Sequence, residues 1–331
     1  MPASSAMYSD ASVTLGRVVV GLNAVIFAAG DGELHVLVTD GPEGGQPALP
    51  FGPFDPETHR TFEIGLREWV RGQTRFELGY VEQLYTFGDR GREAPVAALA
   101  GAEGARVISV GYLGLTPEAK PLKGAAAHWS AWTRHFPWED HRAGRPALLT
   151  DTIEPALRSW ADEAAAPGRR AARMERVRAC FGLDGAAWNE ERALDRYELL
   201  YEAGLVEEAA RDRGEAEAGL KLGEAMASDH RRILATALSR LRGKIKYRPI
   251  LFELTPAEFT LSHLQKLAES VSGLTLHKQN FRRALDRGGF VQGTGRMESR
   301  TGGRPAELYR HTPARTQAAG ALGLTIPRVK E

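Results

Sequence analysis

The sequence has almost no cysteine: one residue, Cys180, in 331. A single thiol excludes an intrachain disulfide and a cysteine-rich zinc site. Cys180 sits in an Ala/Arg-rich helical stretch and reads as a small buried side chain rather than a nucleophile. Long apolar runs are missing too; none approaches the ~18–20 residues that span a bilayer. Met1 to Gly16 lacks a basic stretch followed by an apolar core, the pattern of a secretory leader. A reducing cytoplasm is the expected compartment, with no membrane partner. Net charge is nearly absent, +1 from 43 basic and 42 acidic side chains. Core-forming residues are not scarce. With 43% hydrophobic and 26% charged residues, the chain is excluded from the disordered and fibrous classes. Its length predicts two or three domains.

The near-zero net charge hides an asymmetry. From Ser228 to Glu331 there are 19 basic and 8 acidic side chains, leaving 24 basic and 34 acidic ones before Ser228. A basic third joined to an acidic two-thirds points to a polyanionic partner for one end.

Arg17 to Phe27 is an apolar, β-branched run. Gly30-Asp31-Gly32 and then Leu34 to Thr39 follow, which predicts a β-hairpin. Gly41 to Pro56 reads as loop. Thr58 to Arg71 has helical spacing, with Phe62, Leu66, Trp69 and Val70 on one side. Tyr80 to Phe87 and Arg106 to Leu115 read as strands. This is the mixture of an α+β domain. Asp151 to Ala225 is helical in composition, broken at Pro167-Gly168 and at Gly182 to Gly185. Trp129, Trp132 and Trp138 read as packing at a domain junction rather than a stacking platform. Glu139-Asp140-His141 reads as a surface or capping cluster rather than a metal site.

The last third has a sharper order. Asp229 to Lys244 predicts a helix capped by Ser228 or Asp229, and Ile250 to Leu254 a short strand. Thr260 to Ser272 predicts a helix capped by Thr260 and ended by Gly273. His277 to Arg287 predicts a second helix. A strand starting at Phe290, a Gly- and Arg-rich tip from Gly293 to Pro305 and a returning strand from Ala306 to Arg310 complete the order of a winged helix-turn-helix. In the second helix Phe281, Ala284 and Leu285 supply a buried face. Lys278, Gln279, Asn280, Arg282, Arg283 and Arg287 remain for DNA. Amides near the N-terminal end pair with adenine and guanidinium groups with guanine. Arg296, Arg300 and Arg304 supply the wing with charge for phosphates or a minor groove.

Leu49 to Thr74 carries a second motif: a Leu-Pro, a glycine, a short loop, then a helix with Arg-Glu. It resembles the Nudix box, G-x5-E-x7-R-E-U-x-E-E-x-G-U with U apolar. Placing Arg67-Glu68-Trp69 on R-E-U puts the paired glutamates on Arg71 and Gly72 and the later glycine on Thr74. The earlier glutamate falls on His59, and the first glycine on Pro53, one residue after Gly52. Mg²⁺ demands hard oxygen ligands, and pyrophosphate hydrolysis relies on that metal. With His59, Arg71 and Gly72 in place of the metal-binding glutamates, no metal site, no catalytic residue and no catalytic cofactor are expected. The frame can still bind a nucleotide.

Together the two motifs resemble the Nudix-related transcriptional regulators of NAD metabolism, the NrtR type, nearest their alphaproteobacterial NadQ-like group. The resemblance rests on Glu82 to Asp89 (EQLYTFGD), on Arg106 to Leu115, and on matches from Leu241 through Tyr309. Those matches include Leu241-Arg242-Gly243-Lys244, Asn280-Phe281-Arg282-Arg283 and Gly303-Arg304-Pro305-Ala306. It implies a Nudix-like α/β/α effector-sensing domain over residues 1–137, a helical connector over 138–227 and a DNA-binding winged helix over 228–331. It also implies a homodimeric repressor on palindromic operators near NAD-biosynthesis genes. The implied effector is an adenine nucleotide, NAD(H), ATP or ADP-ribose, in a cleft near Asn23, Arg67, Arg71 and Tyr112. The competing reading is an active Nudix hydrolase of ADP-ribose-type substrates with an accessory nucleic-acid-binding domain.

Overall fold

Side-chain alternation along the first strand sets the architecture. In the computed structural model β1 spans Val18–Gly30. Its even positions Leu22, Ala24 and Ile26 pack with Leu66 and Val70 of helix α1 (Phe62–Thr74). Its odd positions Val25, Phe27 and Ala29 join a large core on the opposite face. A strand that is apolar on both faces belongs at the centre of a sheet covered on two sides. The residues described are 16–41, 45–90, 92, 100–102, 104–120, 122, 124–215, 219–247, 249–298 and 305–312.

The sheet adds β2 (Glu33–Thr39), β3 (Phe51–Pro53), β4 (Tyr80–Phe87), β5 (Arg106–Thr116) and β6 (Ala127–Ala131). Their order is β4-β5-β1-β2-β6, with β3 pairing β1 as well. β1 and β5 run parallel and the other pairs antiparallel. Asp31 and Gly32 close the β1–β2 hairpin with φ of 52° and 82°. That double left-handed turn matches the twist of the strands and favours Asp-Gly. The stretch expected to be loop from Gly41 to Pro56 therefore contains one short strand. Pro53 and Phe51 pair with Gly21 and Asn23 in the ladder, and the Gln73 side-chain amide closes both backbone groups of Phe51.

α1 starts later than its apolar spacing suggests. It begins at Phe62, and Thr61 caps it by accepting from Ile64 N at 3.2 Å. After β6 the chain turns helical: α2 (Trp132–His135), α3 (Glu154–Asp162), α4 (Pro167–Phe181), α5 (Ala193–Glu202), α6 (Glu207–Arg213) and the long α7 (His230–Tyr247). α7 packs on β1, β4 and β5 and also on α5, so it covers the second face of the sheet and touches the helical segment at once. Of the three tryptophans expected to pack at a junction, Trp132 and Trp138 are buried here, whereas Trp129 is partly buried on the α1 face, edge-on to Phe76.

The C-terminal elements are β7 (Phe259–Thr260), α8 (Leu261–Ser272), α9 (Lys278–Gly288), β8 (Val291–Glu298) and β9 (Ala306–His311), with the small sheet ordered β7-β9-β8. Thr260 caps α8 by accepting from His263 N, and Gly273 ends it with φ of 70°. Two expectations fail here. Ile250–Leu254 is a 3-10 helix, not a strand; five apolar residues after a proline satisfy either reading. β8 continues to Glu298, past a register shift after Gly293, so the wing tip is shorter than expected. α7 begins at His230 with Asp229 at the cap position, yet Asp229 Oδ1 has no hydrogen-bond partner.

Buried ionic contacts bolt these parts together. Glu139 lies between Arg196 of α5 and Arg242 of α7, all three fully buried. It is thus a core anion, not a surface cluster. Arg242 also donates to Val271 O in the last turn of α8 at 2.9 Å. A Cβ at Gly273 would lie 2.3 Å from the Glu139 carbonyl oxygen, so the α8 terminus seats directly against this cluster. On the hairpin side, Leu34 N donates to Ser270 Oγ, which donates to Glu33 (both 2.8 Å). Arg142 spans Glu33 and Asp140.

Candidate nucleic-acid interface

α9 divides along its length as its sequence demands. Phe281 and Leu285 are buried and Ala284 partly so. Lys278, Gln279, Arg282, Arg283 and Arg287 are exposed, and Asn280 is half-buried at the N-terminal end. Among the described residues no carboxylate lies within ion-pair distance of Lys278, Arg282, Arg283 or Arg287. The arginine-rich helix α4 is the contrast. Its Arg170 pairs with Asp162, Arg176 with Glu202 and Arg178 with Asp184, while Arg173 lies over Trp160. Unneutralised cations on one exposed helix are the electrostatic footprint of a polyanion site. The wing differs. Arg296 is tied to Glu258 and exposed, and Arg300 and Arg304 lie outside the described residues. A notch of about 450 Å³ joins Lys278 and Arg282 to the start of α8 and to β9.

The four residues expected to form a nucleotide cleft do not converge. Tyr112 pairs with Ala24 in the β1–β5 register and packs with Leu66 and Val70 on the α1 face. Asn23, one position earlier, faces the other side of the sheet; it is fully buried and neither amide atom has a partner. Parity separates them: one residue along a strand is one change of face. Arg67 is committed to structure. It donates to Glu63 at 2.9 Å and to the carbonyls of Leu78 and Gly79, tying α1 to the segment that leads into β4. Arg71 is exposed, 3.9 Å from Glu77.

The residues that the resemblance sets against the box glutamates are equally plain in place. His59 is buried, accepts from Asp55 N at 3.0 Å and approaches Glu68 at 3.4 Å. Glu68 and the nearby Asp55 are carboxylates beside His59. Among the described residues no group of three or more His, Cys, Asp or Glu could hold a metal ion. No helix there is long and apolar enough to cross a membrane.

Sequence reasoning missed the polar groups beneath the first turn of α7. His230 is buried and accepts from Leu49 N at 3.0 Å; burial lowers its ring pKa to about 3, so it is neutral. Asp229 is buried too, and desolvation raises its carboxyl to about 7 against the pull of Arg232 and Arg92. The only sequence signal was an Asp-His pair at a helix start, which is common for capping alone.

Residues 251–311 match the family model described as the NrtR DNA-binding winged helix domain. The C-terminal domain is similar to that winged helix. A curated relative, the ADPR responsive transcriptional repressor NtrR of Acinetobacter baylyi, is 39% identical over 85 residues. These cover 26% of this chain and 34% of the repressor, so the match spans about a third of its length. Among solved structures, Shewanella oneidensis NrtR complexed with a 27mer DNA aligns with a TM-score of 0.51 at 18% identity, over 90% of this chain and 95% of that one. A MutT/nudix family protein from Enterococcus faecalis aligns at 0.50 and 14% identity, over 89% and 88%. Those likenesses establish the fold alone, a mixed α/β domain followed by a winged-helix domain.

Proposed function

We propose that this chain is a nucleotide-responsive transcriptional repressor that binds DNA through α9 and does not turn over its effector. The observation that carries the reading is the exposed row Lys278, Arg282, Arg283 and Arg287, without carboxylate partners among the described residues, whereas three arginines of α4 are each paired with a carboxylate. Gln279 and Asn280, at the end that enters a major groove, are the base readers. Two copies bind a palindromic operator with half-sites about one helical turn, ~10–10.5 bp, or a multiple apart. Within this proposal residues 1–137 sense the effector, 138–227 connect and 228–331 bind DNA. The targets are NAD-biosynthesis genes, the site of action is the cytoplasm, and the nearer branch is the NadQ-like one.

The effector is an adenine nucleotide. ADP-ribose stands first among NAD(H), ATP and ADP-ribose because the Acinetobacter relative responds to it. The Nudix fold supplies the frame, while Arg71, Gly72 and His59 replace the carboxylates that hold Mg²⁺ in the pattern it resembles. The test is an operator selected from random duplexes by the full chain and titrated by fluorescence anisotropy with and without each nucleotide. The proposal expects a palindromic sequence to emerge and at least one adenine nucleotide to change its affinity. Failure to enrich any sequence refutes it.

A further inference from the structure

Strands β8 and β9 pair Gly293 with Tyr309 and next Met297 with Glu307, so Thr294, Gly295 and Arg296 stand opposite Leu308 alone. A bulge of this kind re-aims the side chain it carries. Two hydrogen bonds fix it: Thr294 Oγ1 donates to Leu308 O at 2.9 Å and accepts from Arg296 N at 3.2 Å. Gly295 completes it with φ of 71°, a conformation glycine adopts without strain. The Arg296 side chain leaves the bulge toward Glu258, just before β7, and pairs with it.

Glu258 lines a polar crevice of about 590 Å³ between the winged domain and the β1–β2 hairpin, together with His263, Glu298, Asp31 and Glu118. Lys120 lies 3.9 Å from Glu118. Among the described residues no cation is within ion-pair distance of Asp31 or Glu298. Carboxylates without partners on both walls make the crevice a region of negative potential, and Arg296 is the cation that meets it. The pair is open to competition. The Arg296 side chain is 66% exposed and that of Glu258 28%, and water and salt already compete with a pair so placed. A DNA phosphate is a stronger competitor, because a guanidinium binds it bidentately. A turn of the side chain alone frees Arg296, since Thr294 and not Glu258 holds the bulge.

We propose that Glu258 competes with DNA for the wing: it holds Arg296 off the duplex, and a phosphate must displace its carboxylate before Arg296 contributes to binding. The inference rests on the DNA-binding reading above. It makes the wing a brake on affinity, in contrast to α9, whose Lys278, Arg282, Arg283 and Arg287 have no described carboxylate to leave. The brake acts on all duplexes alike, because phosphate contacts carry no sequence information directly.

The experiment is fluorescence anisotropy of the full chain on a random duplex and on the selected operator. It compares the parent, Glu258→Gln, Glu258→Ala, Arg296→Ala, the double variant Glu258→Gln with Arg296→Ala, and Glu298→Gln, with thermal melts to verify folding. Both Glu258 variants are expected to bind both duplexes about two- to fivefold more tightly, the scale of an exposed ion pair. Glu298→Gln removes an equal charge from the same crevice but no partner of Arg296, and is expected to gain less. With Arg296 replaced by alanine, the gain from Glu258→Gln should fall to that of Glu298→Gln. Arg296→Ala should also reduce the salt slope by ~1. Parent-like binding by both Glu258 variants, an equal gain from Glu298→Gln, or a full gain that survives in the double variant overturns the proposal. A parent that binds neither duplex overturns the DNA-binding reading itself, a different failure because it appears without any substitution.

Discussion

Replacing Glu139 by Gln removes one charge from a place where water cannot compensate. Arg196, Glu139 and Arg242 each have no exposed side-chain surface. Arg196 keeps the carbonyls of Cys180 and Asn189, and Arg242 keeps those of Val271 and Glu190. Those bonds hold the side chains in place but do not neutralise them. Removing one partner of a buried ion pair costs about 3–5 kcal/mol, chiefly because a charge is left uncompensated. Domain stabilities are about 5–15 kcal/mol, so this is about a fifth or more of the total. The control is Glu202→Gln, whose pair with Arg176 is half-exposed on both sides and is worth about 0–1 kcal/mol. Urea denaturation followed by circular dichroism and tryptophan fluorescence compares the two. The pH dependence has a definite sign. The two arginines hold the Glu139 carboxyl below its usual 4.5 despite complete burial. A lowered folded pKa gives stability that is present above about 4.5 and lost as pH falls through the folded value. The gap between parent and Glu139→Gln should therefore narrow below pH 4.5. A cost under about 1 kcal/mol, or one equal to that of Glu202→Gln, would refute the reasoning.

Three further outcomes follow from the same structure. Asp229 shows the opposite linkage: its carboxyl is raised from 3.8 to about 7 by burial, so stability is full below 3.8 and declines as pH rises through about 7. Asp229→Asn should raise the melting temperature at pH 8 and not at pH 4; equal effects at both would count against an ionising Asp229. Purified protein with Mg²⁺ should show no multiple-turnover hydrolysis of ADP-ribose or NAD above background, and turnover abolished by Glu68→Gln would show a working metal site. Arg282→Ala should weaken binding to all duplexes alike and reduce the salt slope by ~1, the signature of a lost phosphate contact; a sequence-dependent loss would make Arg282 a base reader.

The winged helix was legible because local signals carry it. Thr260 and Gly273 bound α8, and Phe281, Ala284 and Leu285 sort α9 into a buried and a polar face. The hairpin was legible for the same reason, since Asp31-Gly32 dictates its turn. What sequence did not reveal depends on pairing across distance. Asn23 and Tyr112 fall on opposite faces through the β1–β5 register, which neither strand announces alone. Glu63, four residues before Arg67, was a partner legible in the sequence, but the carbonyls of Leu78 and Gly79 that also hold Arg67 were not. Glu139 reads as one acid in a polar run because its arginines lie 57 and 103 residues away. The register shift between Gln83 and Tyr85 in β4 is equally silent, because a single unpaired residue leaves no mark in composition.

The central claim is that α9 reads DNA. Its most direct test is fluorescence anisotropy of the selected operator and a random duplex at several salt concentrations, with the parent, Asn280→Ala and Arg283→Ala. The account predicts that Asn280→Ala loses ~1–3 kcal/mol of preference at one base position while keeping its affinity for random DNA. It predicts that Arg283→Ala binds the operator more weakly than the parent. If both variants bind operator and random duplex as the parent does at every salt concentration, α9 is not the recognition helix and the account is contradicted.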